Sequence, residues 1–361
     1  MQSSKIAVFT ASGQPFSIQQ AKIPTLHSGE LLVKNEYVTL CRSDLNTFVG
    51  KRKEKTPTIL GHEIVGRIEA FAADHPKTDA RGDTLHIGDR ISWAIYASDP
   101  TDPLSAQGIP QKAADLFKYG HERISEEESL HGGLAGHTII RRNTPLAKID
   151  EAIPLGVAAT INCAMSTAAG TLRLAGKLKA KTVLISGAGM LGVVACAMCK
   201  AGGADRVVAL DLNEKRLQQA RSFGADITIA VKEGWEQDLS NELGDGQNLD
   251  LVLEFSGVKS AMESTLKVLS IGGTAVWVGA THPHSQVQID AEQMIRKLWT
   301  IKGLHNYNQD DFVAAVNFIE DNYTNFPFAD LIHDCFTLDQ VEEAFQYALA
   351  KNPFRVGLKI S

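Results

Sequence analysis

The sequence predicts an α/β protein in which a doubly wound parallel sheet is joined to a β-rich domain. Three observations predict this. At 361 residues the chain exceeds what one hydrophobic core serves, since cores stop growing near ~250–300 residues and longer chains split. Short β-like runs separated by turns fill the first 150 or so positions. From about Ile153 onward, apolar strand-like runs alternate with helical ones, which is the pattern of parallel βαβ units.

In the first part, Lys5–Phe9, Glu30–Leu40, His62–Ala70, Asp89–Tyr96 and Gly136–Arg141 read as strands punctuated by Gly and Asp, as at Gly88-Asp89. They predict an antiparallel, barrel-like domain with few helices. Ala73–Ile87 and Ser98–Glu128 are polar and carry no period, so they read as loops. In the second part, Thr182–Ser186 is a buried-strand run followed by glycine turns and a helical run from Leu191. Arg206–Leu210 is the next strand and Asn213–Phe223 the next helix. Asp250–Phe255 and Gly273–Val278 continue the alternation, with helical Lys259–Leu269 between them. After about Met294 the elements are mixed: Phe312–Asp321 and Leu338–Ala350 read as helices and Phe354–Ile360 as a final strand. The expected domains are therefore 1–152 with 297–361, β-rich, and 153–296, α/β. No internal repeat of 20–50 residues is visible.

Composition narrows the function. Hydrophobic residues make up 44% and charged residues 22%, and 36 Lys+Arg against 42 Asp+Glu leave a net charge of −6. This excludes a disordered or collagen-like chain. Without Lys/Arg blocks it also argues against a nucleic-acid or anionic-membrane partner. The N-terminus has only a short apolar run and no small-residue cleavage site. Two uncharged runs reach membrane length, Ala152–Leu172 and Thr182–Cys199. The first holds Pro154, Asn162 and Ser166, and the second is broken by Gly187, Gly189 and Gly192, so neither is expected to span a bilayer. With no export signal and five cysteines, an odd number, a cytoplasmic chain with reduced thiols is expected.

The first chemical motif closes the strand Thr182–Ser186. Gly187-Ala-Gly189-Met190-Leu191-Gly192 opens a helix, and a second strand ends in Asp211, 19 residues beyond Gly192. A lone G-x-G-x-x-G is weak, but strand, turn, helix and distal carboxylate together are the dinucleotide-binding context. Gly187 would make the tight turn, Gly189 would let the backbone approach a pyrophosphate, and Gly192 would allow helix and strand to pack closely. Met190 and Leu191 open the helix whose N-terminus would receive the phosphates. Asp211 would accept ribose hydroxyls and repel a 2′-phosphate, which favours NAD over NADP; Lys215 and Arg216 nearby pull the other way.

The second constellation is scattered: Cys41 after the apolar run Tyr37–Leu40, His62 ahead of a β-run, and Cys163 near the change of pattern. Two thiolates and an imidazole suit a catalytic zinc, which takes three protein ligands and keeps a fourth position open. Spacing alone does not distinguish this from two packed cysteines and a satisfied histidine.

Cys41-x-Ser43-Asp44, then Gly61-His-Glu-x-x-Gly66, then Gly88-Asp-Arg90, then the glycine fingerprint form an ordered set along nearly the whole chain. In this the sequence resembles the zinc-dependent medium-chain alcohol dehydrogenases. Thr56-Pro-Thr-Ile-Leu-Gly-His-Glu63, Gly108-Ile-Pro-Gln-Lys112 and Phe117-Lys-Tyr-Gly-His-Glu122 are similar to the phosphonate-catabolism-associated subgroup. The resemblance implies a GroES-like β-rich catalytic domain beside a Rossmann domain, a hydride exchanged between a small alcohol or aldehyde and NAD, and a homodimer or homotetramer paired through edge strands. It implies Cys41, His62 and Cys163 as zinc ligands and Ser43 as proton acceptor from the alcohol. Asp44 would orient His62, and Glu63 would stand near the metal. Arg42 and Arg216 would meet the cofactor. Polyol, threonine and hydroxyphosphonate dehydrogenases of the same family, or a non-catalytic cofactor-binding relative, are the alternative readings.

Two departures stand out. Relatives commonly hold a second, structural zinc with four cysteines, and the matching positions here are Asp99, Asp102, Ser105 and Ala113. Ser105 and Ala113 cannot complete a thiolate site, so one zinc per chain is expected, with a lobe held by packing or mobile. Asn46 stands where relatives often carry the histidine that ends the proton relay; His121 and His131 are the conceivable substitutes. Cys196-Ala-Met-Cys199 is a C-x-x-C within an apolar helical run and reads as packing. Cys335 has no partner in sequence, and Lys51-Arg-Lys-Glu-Lys55 is a basic cluster, solvated or attractive to an anionic substrate.

Overall fold

The computed structural model of the chain describes residues 2–125, 128–244, 246, 248–281 and 286–360. Two compact units emerge: residues 1–163 with 308–324 and 328–361, and residues 164–307 with 325–327. The crossings fall at 163/164 and 307/308, against the expected 152/153 and 296/297. The physical reason is visible at both. The helix Leu155–Ala159 packs on the strands Leu31–Thr39 and Glu63–Phe71 of the first unit. The strand Thr300–Gly303 pairs in parallel with Thr274–Trp277 of the second.

Among the described residues the first unit holds a seven-stranded sheet. Its path runs Ile332–Thr337, Arg355–Lys359, Leu31–Thr39, Glu63–Phe71, Arg90–Trp93 and Leu146–Lys148, with His137–Ile140 also paired to Leu31–Thr39. Pairing is antiparallel throughout the first 150 or so residues, as expected there, and parallel only between the late strands Ile332–Thr337 and Arg355–Lys359. The helix Val341–Lys351 forms the crossover that a parallel pair needs. Leu31, Val33, Val38, Ile64, Trp93, Phe345 and Leu358 meet in its core. The strand Ser17–Lys22 was missed from sequence because SIQQAK is polar and mostly exposed, held by pairing with Ser3–Val8 rather than by burial.

The lobe expected to be held by packing or mobile has a polar framework. Asp102 caps the short helix Pro103–Ala106, accepting from the Leu104 and Ser105 N–H groups at 2.8 and 3.3 Å. Its second oxygen accepts from Ala114 N–H at 3.1 Å, and Asp115 accepts from Asp99 N–H at 2.8 Å. Carboxylates thus tie together backbone segments at the positions where the family resemblance places thiolates.

The second unit is a six-stranded parallel sheet in the order Ile227–Ala230, Arg206–Asp211, Thr182–Ser186, Leu251–Glu254, Thr274–Trp277 and Thr300–Gly303. Numbered by the chain this is 3-2-1-4-5-6, the dinucleotide-binding order. Val183, Leu184 and Ile185 are fully buried, as a strand covered on both faces requires. Cys196 and Cys199 are buried on the helix Met190–Ala201 and pack it, as read from sequence. The segment Leu155–Ala175 is long and apolar enough to cross a membrane, yet 72% of its apolar window is buried inside the protein. A π-turn at Ile161–Met165 also interrupts its regular helix.

Candidate metal centre and dinucleotide edge

Three strands bring one constellation together. Thr39 pairs with both Glu63 and Gly357, and Leu40 N–H donates to Val356 C=O at 2.9 Å. Cys41, the pair His62–Glu63 and Arg355 therefore sit at the same end of the sheet. Cys163 arrives on the π-turn, a local widening that often marks functional sites. Its neighbour Asn162 fixes that turn to the strand by exchanging hydrogen bonds with the Ile64 backbone, each 3.3 Å. The ligand atoms of Cys41, His62 and Cys163 all lie within 4.8 Å of one another.

The donor set fits zinc. The two sulfurs are 3.9 Å apart, far beyond a disulfide bond. Two thiolates at ~2.3 Å from a tetrahedral ion are about 3.8 Å apart. Cys41 and His62 are buried, so competing water is scarce. The Cys163 contact lowers the Cys41 thiol well below its usual range against the opposing effect of burial, and the nearby Arg355 guanidinium helps. The same contact and burial raise Cys163. Asp44 Oδ1 lies 3.3 Å from His62 Nδ1 and also accepts from Gly61 N–H at 3.2 Å. Its Oδ2 accepts from Cys41 N–H at 2.9 Å, so one carboxylate holds both ligand-bearing segments. Burial opposes its ionisation, yet the His62 ring beside it holds the carboxyl below its usual range. Ser43 Oγ is 3.3 Å from His62 Nε2.

Glu63 is fully buried and gripped by Arg355 through two bonds of 2.6 and 2.7 Å. Burial raises its carboxyl, and Arg355 pulls it back. A second Arg355 N–H group lies 3.7 Å from Cys41 Sγ. Sequence reading missed Arg355, because nothing in Phe354-Arg-Val-Gly announces a partner almost three hundred positions away. His121 stands where a candidate was sought: its ring centroid is 4.9 Å from that of His62, and its Nδ1 is 3.0 Å from Glu54 Oε1. His131 does not join it; it packs edge-on against Phe117. Two of the basic cluster's four cations are in ion pairs, Arg52 with Glu54 and Lys55 with Glu122. Arg42 is exposed and donates to Asn352 Oδ1 at 3.2 Å. Cys335 is exposed and donates to the Phe336 carbonyl.

The second unit carries the glycine turn as the motif requires. Gly187 has φ +94°, and a Cβ on Gly192 would fall 2.0 Å from the Gly187 carbonyl oxygen. At Gly189, the N-cap of the helix Met190–Ala201, the space is open, with Arg216 Nη1 3.9 Å from where a Cβ would stand. Asp211 braces this turn: Oδ2 accepts from Ala188 N–H and Oδ1 from Asn213 N–H, both at 2.8 Å.

Comparison with known proteins agrees with both halves. Residues 27–150 match the alcohol dehydrogenase GroES-like domain, and residues 191–321 match the zinc-binding dehydrogenase domain. The chain belongs to the zinc-dependent medium-chain alcohol dehydrogenases. It is thus an oxidoreductase that moves hydride between a small alcohol and a nicotinamide dinucleotide. The dehydrogenase is 28% identical over 332 residues to an L-threonine 3-dehydrogenase of Vibrio cholerae, covering 91% of each chain. A solved alcohol dehydrogenase from Thermotoga maritima superposes with a TM-score of 0.93 at 25% identity, covering 100% of both chains. An alcohol dehydrogenase zinc-binding domain protein from Burkholderia ambifaria, 23% identical with a TM-score of 0.86, covers 100% of this chain and 99% of its own and shares the fold.

Proposed function

We propose that the dehydrogenase oxidises a small alcohol, or reduces the aldehyde, with NAD and one zinc held by Cys41, His62 and Cys163. The convergence of two thiols and one imidazole within 4.8 Å carries this reading. The ion would act as a Lewis acid that eases loss of the alcohol proton. Asp44 orients His62 and ties its segment to that of Cys41. Ser43, 3.3 Å from His62 Nε2, is the residue we assign to take the substrate proton by hydrogen bond. Arg355 neutralises Glu63 and leaves an N–H near Cys41, which adds to the effect of Cys163 in lowering that thiol. On the other unit Gly187, Gly189 and Gly192, with the helix opening at Met190 and Leu191, receive the pyrophosphate. Arg42 adds a charged donor toward it. Asp211 and Arg216 flank the adenosine ribose, and the carboxylate favours NAD.

The phosphonate-associated subgroup is the finer reading. Lys118 supports it: burial, then the charges of Lys112 and Arg52, lower its ammonium to about 8 against the opposing pull of Glu54, on the unit that holds the metal trio. Pairing of two copies through the edge strand Thr300–Gly303 is the assembly we propose; Ile271, Ile295 and Leu298 are each more than 70% exposed on the same unit.

A screen of alcohols by NADH absorbance, including hydroxyalkylphosphonates, L-threonine and polyols, tests the function. Turnover with a hydroxyalkylphosphonate well above that with the neutral alcohol of the same length is expected. Preference for L-threonine or a polyol would favour the threonine or polyol dehydrogenases of the same family over the phosphonate subgroup, and no turnover with any alcohol in zinc-loaded protein would refute the alcohol dehydrogenase reading itself.

A further inference from the structure

Neither the metal trio nor the glycine turn accounts for Glu254. It ends the fourth strand of the second unit and is fully buried. It pairs with Ser186, the last residue of the first strand. From that first strand the chain builds outward through strands two and three on one side and resumes with strand four on the other. Doubly wound sheets bind their ligands outside the carboxyl ends of the strands at this reversal.

The carboxylate is surrounded by donors. Oε1 accepts from Ser256 N–H at 2.8 Å and Gly257 N–H at 3.1 Å, and Oε2 also accepts from Gly257 N–H at 3.1 Å. The Ser256 hydroxyl donates to Oε1, and its own oxygen accepts from Val258 N–H at 3.1 Å. An acceptor-only role suits an ionised carboxyl. Burial, the largest influence, holds this carboxyl above its usual range although the turn's donors oppose it, and no lysine or arginine figures among those influences.

The turn that Glu254 folds lies against the phosphate turn. A Cβ on Gly187 would come within 2.9 Å of Ser256 N, and one on Gly279 within 2.2 Å of Gly257 N. The Glu254 carbonyl accepts from Val278 and Gly279 N–H groups at 2.9 and 3.1 Å. The turns after strands one and five therefore close on the turn that the Glu254 side chain holds.

We infer that Glu254 is a positioning residue of the dinucleotide edge whose buried negative charge favours the oxidised, cationic nicotinamide over the reduced, neutral one. This rests on the dinucleotide reading of the Gly187–Gly192 turn. The two cofactor forms differ by one unit of charge on the ring, so a fixed anion beneath the edge discriminates between them, and low-dielectric surroundings strengthen the effect.

Kd values for NAD+ and NADH, measured by calorimetry on the full chain without substrate, test it. Glu254→Gln keeps the shape and removes the charge; it should weaken NAD+ binding about threefold or more beyond any change in NADH binding. Glu254→Thr, a second neutral variant, should shift the ratio the same way and serves if the first does not fold by circular dichroism. Ser256→Ala removes one donor and leaves the charge, so its NAD+/NADH ratio should match the wild type. An unchanged ratio in a folded neutral variant would overturn the inference. So would a shift in Ser256→Ala as large as that in Glu254→Gln, since turn geometry would then set the ratio. A wild-type chain that binds neither form would instead refute the dinucleotide reading itself.

Discussion

Arg355→Met is the most informative perturbation of the metal-bearing unit. Arg355 and Glu63 are both buried and joined by bonds of 2.6 and 2.7 Å. With charge centres ~4 Å apart at an effective dielectric near 20, their attraction is about 4 kcal/mol. Removing one partner of such a pair typically costs ~3–5 kcal/mol, because the other charge is left buried and uncompensated. In a unit of this size that corresponds to a fall in Tm of roughly 6–20 °C. The loss should come mostly from the stranded carboxylate rather than from lost contacts. Arg355→Met/Glu63→Leu should therefore recover at least half of the deficit. Differential scanning calorimetry in the presence of a chelator separates this from any change in metal affinity. A drop under about 1 kcal/mol in the single variant, or no recovery in the double, would refute the reasoning.

Other predictions follow from the same geometry. Asp102→Ala removes the cap of Pro103–Ala106 and the brace to Ala114; amide exchange should quicken across residues 98–116 with the rest unchanged. Gly192→Ala drives a Cβ to 2.0 Å from the Gly187 carbonyl; NAD affinity measured by fluorescence should fall more than about tenfold. Burial lowers the His131 ring to about 4, below its ordinary ~6.5, so between those values the unfolded chain binds more protons. Stability should therefore fall by up to ~3 kcal/mol as pH drops from ~6.5 to 4. His131→Leu should flatten that slope in urea melts.

The sequence showed most where chemistry is local. The glycine turn, the strand before it and Asp211 lie within thirty positions, and the structure places them together. Thr182–Ser186 matches its expected bounds residue for residue, because a strand covered on both faces shows as an apolar run, here Val183-Leu-Ile185. Cys41, His62 and Cys163 were legible only through the order of motifs along the family, since the sheet register that joins them is not written in any local pattern. Arg355 was invisible for the same reason. The Asp102 framework was half legible: the missing thiolates were plain, but the backbone N–H groups that Asp102 gathers belong to a tertiary arrangement. The weakly apolar strands Ile332–Thr337 and Thr300–Gly303 escaped because pairing, not an apolar face, holds them.

Zinc content of the purified dehydrogenase, by plasma mass spectrometry on wild type, Cys41→Ser and Cys163→Ser, tests the central claim most directly. The account predicts about one zinc per wild-type chain and nearly none in either variant, with alcohol-dependent NADH formation lost in parallel. Two zincs per wild-type chain, or a full complement retained by the variants, would contradict it.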